Sequence, residues 1–415
     1  EDCLRIGIDN NLSLEGKRKE IQKSKYGVSE NRSKLLPQIN AIAGYNNNFD
    51  PPVSVTDGSS YGVPYNITKT LQHSANAGLE MQMPLFNQTL YTSMSIAKVM
   101  EEISRLSYGK AREDVILQIS KMYYLGQVTA EQIMLIKANI TRLEELRDIT
   151  QAFFDNGMSM EVDLKRVNIN LENLKVQYDN AQAMMKQQLN MLKYIMDYPA
   201  EKEIALTPVN TDSITTVALT GLSENIYELQ LSQSQVQLAE RQKKIITNGY
   251  IPSLSLTGSW RYAAYTDKGY HWFHSGPSNQ WFRSYGVGLT LRIPIFDGLD
   301  KTYKIKKAMI DIENKRLAWE DARKNLQTQY LNAVNDLMNN QRNFKKQKDN
   351  YLLAEDVYAV TSDRYREGIA SMTEVLQDEM QMSEAQNNYI SAHYNYRVTN
   401  LMLLKLTGQI ESLVK

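Results

Sequence analysis

Along most of this chain apolar residues recur at helical spacing, but four segments alternate with a period of two. In residues 79 to 85, Leu79, Met81, Met83 and Leu85 lie to one side of Glu80 and Gln82. In residues 287 to 295, Val287, Leu289, Leu291, Ile293 and Ile295 alternate with Gly288, Thr290 and Arg292. Ile39, Ala41, Ala43 and Tyr45 stand opposite Gln38, Asn40 and Asn46, and Leu254, Leu256, Trp260 and Tyr262 opposite Ser253, Ser255, Thr257, Ser259 and Arg261. A period of two means strand, here with one apolar and one strongly polar face. The pattern predicts strands over about 36–49, 74–86, 251–265 and 285–296.

The rest reads as helix. Leu164, Leu171, Tyr178, Met185 and Leu192 are seven apart, interleaved with Val167, Leu174, Ala181 and Ile195, with Gln188 breaking the second row. A strict seven-residue apolar repeat makes a left-handed coiled-coil seam. The second half repeats it as Val375, Met382, Tyr389, Tyr396 and Leu403. Residues 88 to 156 contain no proline, and a continuous helix of that length is about 100 Å long. Such helices must stop and turn back at Gly157 and Gly368, because glycine accepts the left-handed conformation that ends helices.

These parallels are systematic. LLPQINAIAGY (35–45) matches YIPSLSLTGSW (250–260), MQMPLFNQ (81–88) matches LRIPIFDG (291–298), and FFDNGMSMEVDL (153–164) matches RYREGIASMTEVL (364–376). Pro37 and Pro252 are 215 positions apart, Pro84 and Pro294 are 210 apart, and Gly157 and Gly368 are 211 apart. Near-constant spacing argues for an internal duplication. The expected units are 1–198 and 222–415, joined by a Pro- and Thr-containing linker over 199–221. Each unit holds a helix, two strands and a long helical hairpin, about 88–198 with its tip at 157 and about 298–408 with its tip at 368.

Composition adds exclusions. The 47 basic and 47 acidic residues cancel, which argues against nucleic acid as a partner. No apolar run approaches the roughly 18 residues of a membrane-spanning helix. A β-barrel remains possible, because alternating strands escape hydropathy averages. The single cysteine, Cys3, forbids an internal disulfide; it is expected to pack at the start of a helix, and Glu1 and Asp2 ahead of it argue against a lipid anchor. The apolar strand faces fit lipid better than helices, whose narrow stripes already satisfy one another. Leu79, Met81, Met83, Leu289, Leu291 and Ile293 are the expected lipid-facing residues. Tyr45, Phe86, Trp260, Tyr262, Tyr265, Trp272, Trp281 and Phe296 are expected at strand ends, where interfacial girdles form. Two long polar loops, 46–73 and 266–284, suit the outer side. In lipid every backbone polar group must be paired, so four strands with two free edges must close with other copies of the chain.

The order of motifs then carries a resemblance. A helix ending before Leu/Ile-Pro, a strand, a loop, a strand ending in Pro-Leu/Ile-Phe-Asn/Asp, and a long helix turning at Tyr/Phe-x-x-Gly, all repeated twice, resembles the TolC-like outer membrane efflux proteins. The resemblance covers nearly the whole chain. It implies an α+β membrane protein, mostly α by residue count: a homotrimer with a 12-stranded outer-membrane barrel continued by a helical periplasmic tunnel. It also implies a periplasmic adaptor protein and an inner-membrane pump of the RND or ABC type, in the outer membrane of a Gram-negative cell. Pro37, Pro84, Pro252 and Pro294 would mark the junctions of strand and helix.

No phosphate loop, GxSxG, HExxH or Cys-His cluster occurs. His271 and His274 lie in an aromatic loop without a third ligand, and His73 and His393 are isolated in sequence. The expectation is a passive conduit, not an enzyme, without cofactor or metal. Its candidate gate is Asp163 and Glu374, each six residues past a turn glycine. They are either acids placed to favour a helix start or, in a threefold assembly, a ring of six carboxylates. The resemblance adds Tyr365, three before the second glycine, as a tie between neighbouring hairpins. Ala370 and Gln377 depart from the family pattern, so the latch is expected to differ in detail. The main reading is small-molecule export. A protein-secretion duct working with an ABC transporter, or a soluble coiled-coil scaffold, would be the alternatives.

Overall fold

The computed structural model describes residues 1–208, 221–267 and 281–414. In chain order its elements are α1 (Asp2–Asn10), α2 (Leu12–Ser33), β1 (Gln38–Asn47), β2 (Val53–Asp57), β3 (Tyr65–Lys69), β4 (His73–Phe86), α3 (Gln88–Asp155) and α4 (Glu161–Met196). There follow α5 (Tyr227–Asn248), β5 (Ser253–Thr266), β6 (Trp281–Arg292), α6 (Asp300–Arg366) and α7 (Met372–Leu406). The same succession of helix, two sheet strands, long helix and returning helix occurs on both sides of the linker. Most of that linker, with His271, Trp272 and His274, lies outside the described residues.

The chain forms two compact units, each drawing on both halves of the sequence. One, comprising Gln22–Glu102 and Ser234–Lys315, carries a four-stranded antiparallel sheet in the order β1-β4-β5-β6. Register puts Ile39 opposite Met81, Ala41 opposite Leu79, Met83 opposite Leu256, and Leu79 opposite Trp260; Leu256 faces Leu289 and Leu254 faces Leu291. Directly opposed residues share a face, so most apolar positions of the four strands collect on one side, while Ile42 and Phe282 fall on the other. The other side carries Asn40, Glu80, Gln82, Thr257, Ser259 and Thr290, with Arg261 paired to Glu80. No described helix packs along this sheet. Val287, Leu289 and Leu291 are accordingly 79, 66 and 60% exposed.

Prolines punctuate the sheet where their missing N–H is harmless. Pro37 and Pro252 immediately precede β1 and β5, and Pro84 lies beyond the last residue of β4 that pairs with β1, next to a register shift. The strand expected to run to 296 stops at Arg292, two residues before Pro294. Ile293 is therefore exposed but outside the ladder. Trp260, expected at a strand end, pairs with Leu79 in mid-strand. The loop 46–73 contains its own two-stranded ribbon, β2 with β3, whose Val53, Val55 and Ile67 repeat the period of two on a short scale.

The other unit, Glu1–Ile21, Ile103–Gln233 and Arg316–Lys415, is helical. Its principal core joins Leu143 and Leu146 of α3, Val167, Leu171 and Leu174 of α4, Tyr358 and Tyr365 of α6, and Met372, Val375 and Met382 of α7. Both sevenfold rows thus point inward; Val375, Met382, Tyr389, Tyr396 and Leu403 are all buried. Cys3 packs at the start of α1 against a second cluster that includes Leu4, Ile8 and Ile116. No described helix is long and apolar enough to cross a membrane.

Candidate gate at the helical hairpin tips

Gly157 and Gly368 close the two hairpins with φ of 74° and 75°. Around the first, the Gly157 N–H donates to the Phe154 carbonyl at 2.9 Å and Met158 N–H to Phe153 at 2.8 Å. Around the second, Gly368 donates to Tyr365 at 2.9 Å and Ile369 to Arg364 at 2.8 Å. Both are Schellman closures, which satisfy the last carbonyls of a helix through a left-handed residue. A Cβ at either glycine would meet nothing within 4 Å, so substitution carries only the backbone cost. Gly157→Ala and Gly368→Ala should each lose about 1–2 kcal/mol of stability in thermal or denaturant unfolding. A neutral result at both sites would contradict the left-handed assignment.

The returning helices start differently. α7 opens on a complete capping box: Ser371 Oγ accepts the Glu374 N–H at 3.3 Å, and Glu374 Oε2 accepts the Ser371 N–H at 2.9 Å. α4 opens on Met160, which has no side-chain cap. Glu374 is thus an exposed carboxylate with a local structural task, which satisfies two orphan helix donors reciprocally. Asp163 is half-buried, and its Oδ1 accepts from Arg166 Nη1 at 3.2 Å. The same Arg166 nitrogen reaches Thr373 Oγ1 at 3.4 Å, which joins the start of α4 to the start of α7. Sequence reasoning passed over Arg166, although its position one helical turn after Asp163 is the spacing at which opposite charges pair.

Tyr365 does not meet Asp163 within one chain. Its buried hydroxyl lies 3.3 Å from Thr150 Oγ1, and its ring contacts Phe153 at 5.6 Å between centroids. Ala370 packs at the margin of the principal core, and Gln377 is exposed.

Above the tips the seam is not purely apolar. Asn139 donates to Gln386 at 2.7 Å, Arg142 to Glu355 at 3.2 Å, and Tyr389 to Glu131 at 2.9 Å. His393, isolated in sequence, is fully buried; its Nε2 accepts from Arg397 Nε at 3.0 Å and its Nδ1 is 3.4 Å from Glu131 Oε2. Burial pushes the Glu379 carboxyl up, opposed by Arg142. These partners come from α3, α6 and α7, more than 200 residues apart in several cases, so local spacing carries no sign of them. In the sheet unit, the His73 ring and the Tyr45 hydroxyl are hydrogen-bonded at 2.8 Å across the β1–β4 pair.

Comparison with known proteins agrees with this architecture. The family model described as outer membrane efflux protein matches residues 7–196 and 218–409. The chain is 21% identical over 399 residues to outer membrane protein TolC of Vibrio cholerae, covering 92% of this chain and 84% of that protein. It is 23% identical over 379 residues to the probable efflux pump outer membrane protein TtgC of Pseudomonas putida, covering 86% and 75%. Among solved structures, the transmembrane channel CusC superposes with a TM-score of 0.81 at 16% identity, covering 98% of this chain and 91% of that one. The chain belongs to the outer membrane efflux protein family.

Proposed function

We propose that three copies of this chain form an export channel: a 12-stranded barrel in the outer membrane of a Gram-negative cell, continued by a helical tunnel in the periplasm. It carries small toxic molecules outward, together with a periplasmic adaptor and an inner-membrane RND or ABC pump that supplies the energy. The observation that carries this reading is the sheet. Most of its apolar residues lie on one face that no described helix covers, and its outer strands β1 and β6 each leave one edge unpaired among the described residues. Lipid would cover that face, and neighbouring copies would pair those edges, since open edges are not tolerated in hydrocarbon. Strands of 10 to 14 residues are long enough to cross. The polar face, with Glu80 and Arg261, would line the lumen. At the hairpin tips, Asp163 and Glu374 would form the carboxylate ring of the periplasmic entrance, with Tyr365 stiffening the tip through Thr150.

The stoichiometry is open to a direct test. Protein solubilised in detergent should be a single species of three times the 47.6 kDa chain after correction for bound detergent in light scattering. A monodisperse monomer, or a chain that stays in solution without detergent, would overturn the channel reading.

A further inference from the structure

The helical unit holds a cavity of about 340 Å3 between α3, the start of α5, α6 and α7. Its walls are largely apolar, with Leu117, Ile226, Leu326, Met402 and Leu406 among them. The charges around it do not cancel. Lys110 is held by Glu228 at 2.9 Å and Lys405 by Asp114 at 2.5 Å, so both ammonium groups are already engaged. Glu113 also lines the cavity; it is only 5% exposed and makes no hydrogen bond or ion pair among the described residues. A second acid, the exposed Asp336 on α6, borders the same space.

An unpaired carboxylate is costly to bury, and the surroundings show that cost. Burial pushes the Glu113 carboxyl up to about 7, with Lys405 pulling it down and Glu411 and Asp114 adding to the rise. Glu411 is itself bound to Arg112 at 3.0 Å, and the hydroxyl of nearby Tyr227 is pushed up by burial. A cation brought into the cavity would supply the charge that these neighbours withhold. An anion would meet the carboxylates of Glu113 and Asp336, while Lys110 and Lys405 are already paired.

We propose that this cavity binds a lipophilic organic ammonium ion, its apolar body against Leu117, Ile226, Leu326 and Leu406 and its charge against Glu113. The volume is within the range of small-molecule sites, and Gln329, Asn332 and Thr399 join the charged residues and the apolar side chains in its lining. The inference does not rest on the channel reading, because binding is measured on purified protein without any conduction.

Benzyltrimethylammonium is a suitable probe, since its charge is fixed at every pH and any pH effect belongs to the protein. Isothermal titration of the full chain in a neutral detergent should show saturable binding at pH 8, about tenfold weaker at pH 6, where Glu113 is mostly protonated. Glu113→Gln should weaken binding at pH 8 at least tenfold and abolish the difference between the two pH values. Leu326→Trp, which fills the space and leaves the carboxyl in place, should also remove binding. Far-UV circular dichroism checks that both variants fold; if either does not, the other variant and the wild-type pH series decide. Absence of saturable binding, equal binding at the two pH values, unchanged affinity in Glu113→Gln or unchanged affinity in Leu326→Trp would each overturn the assignment.

Discussion

Leu79→Arg is expected to eliminate most of the assembled oligomer, whereas Ser259→Arg should leave it intact. Leu79 lies in the middle of β4, on the apolar face, directly opposite Ala41 on one side and Trp260 on the other. If that face meets lipid, a guanidinium there stands near the bilayer midplane, at a cost of about 2–4 kcal/mol per chain. Ser259 is on the polar face opposite Glu80 and Gly286, where an added cation finds water and a carboxylate. Depth should grade the effect. Leu291 is the penultimate residue of β6, close to an interface, so Leu291→Arg should cost only about 0–1 kcal/mol. The measurement is the fraction of oligomer surviving in mild detergent for each variant. Equal losses for Leu79→Arg and Ser259→Arg would refute the orientation of the sheet.

The second large effect concerns ion selectivity at the tips. Counting Asp163, Glu374 and Arg166, each chain contributes two negative charges and one positive, a net of minus one. The Asp163→Asn, Glu374→Gln variant leaves Arg166 alone, a net of plus one. In a narrow mouth such charge is weakly screened, and fixed rings select ions of opposite sign. The wild-type channel should therefore prefer cations and be blocked by multivalent cations, and the double variant should prefer anions and lose that block. Folding should be little affected, because Gln at position 374 can complete the capping box as Glu does. Recordings from single channels in planar bilayers report the reversal potential directly. An unchanged reversal potential would show that both acids serve only the starts of α4 and α7.

Much of this architecture is legible in the sequence because its governing patterns are local. A period of two at 79–85 and 287–295, a sevenfold repeat from Leu164 to Leu192, and glycines at 157 and 368 each specify backbone geometry within a few residues. What could not be read depends on distant partners. The burial of His393 among Phe344, Tyr389 and Arg397 is set by helices that meet only after folding. Within the chain the Tyr365 hydroxyl finds Thr150, 215 residues away, a partner that no local spacing indicates. The early end of β6 and the ribbon within 46–73 are boundary errors of another kind, where a short alternating stretch is too brief for periodicity to place its limits. At the hairpin tips, the two acids are legible as repeat mates. Their unequal environments, one bound to Arg166 and one folded back on Ser371, are not.

The two sheet edges left unpaired among the described residues would bear on how many copies assemble in the proposed channel. Joining the free edge of β6 to the free edge of β1 on the next copy is a head-to-tail contact, which closes into a ring only when the angle turned by each four-stranded segment divides a full circle. The hydrogen bonds of that joint are the same whether three copies close or a ribbon grows without end. In such an assembly copy number would follow from the curvature of the sheet, to which the twist of the strands and the register shift beside Pro84 contribute, rather than from the hydrogen bonds of the joint.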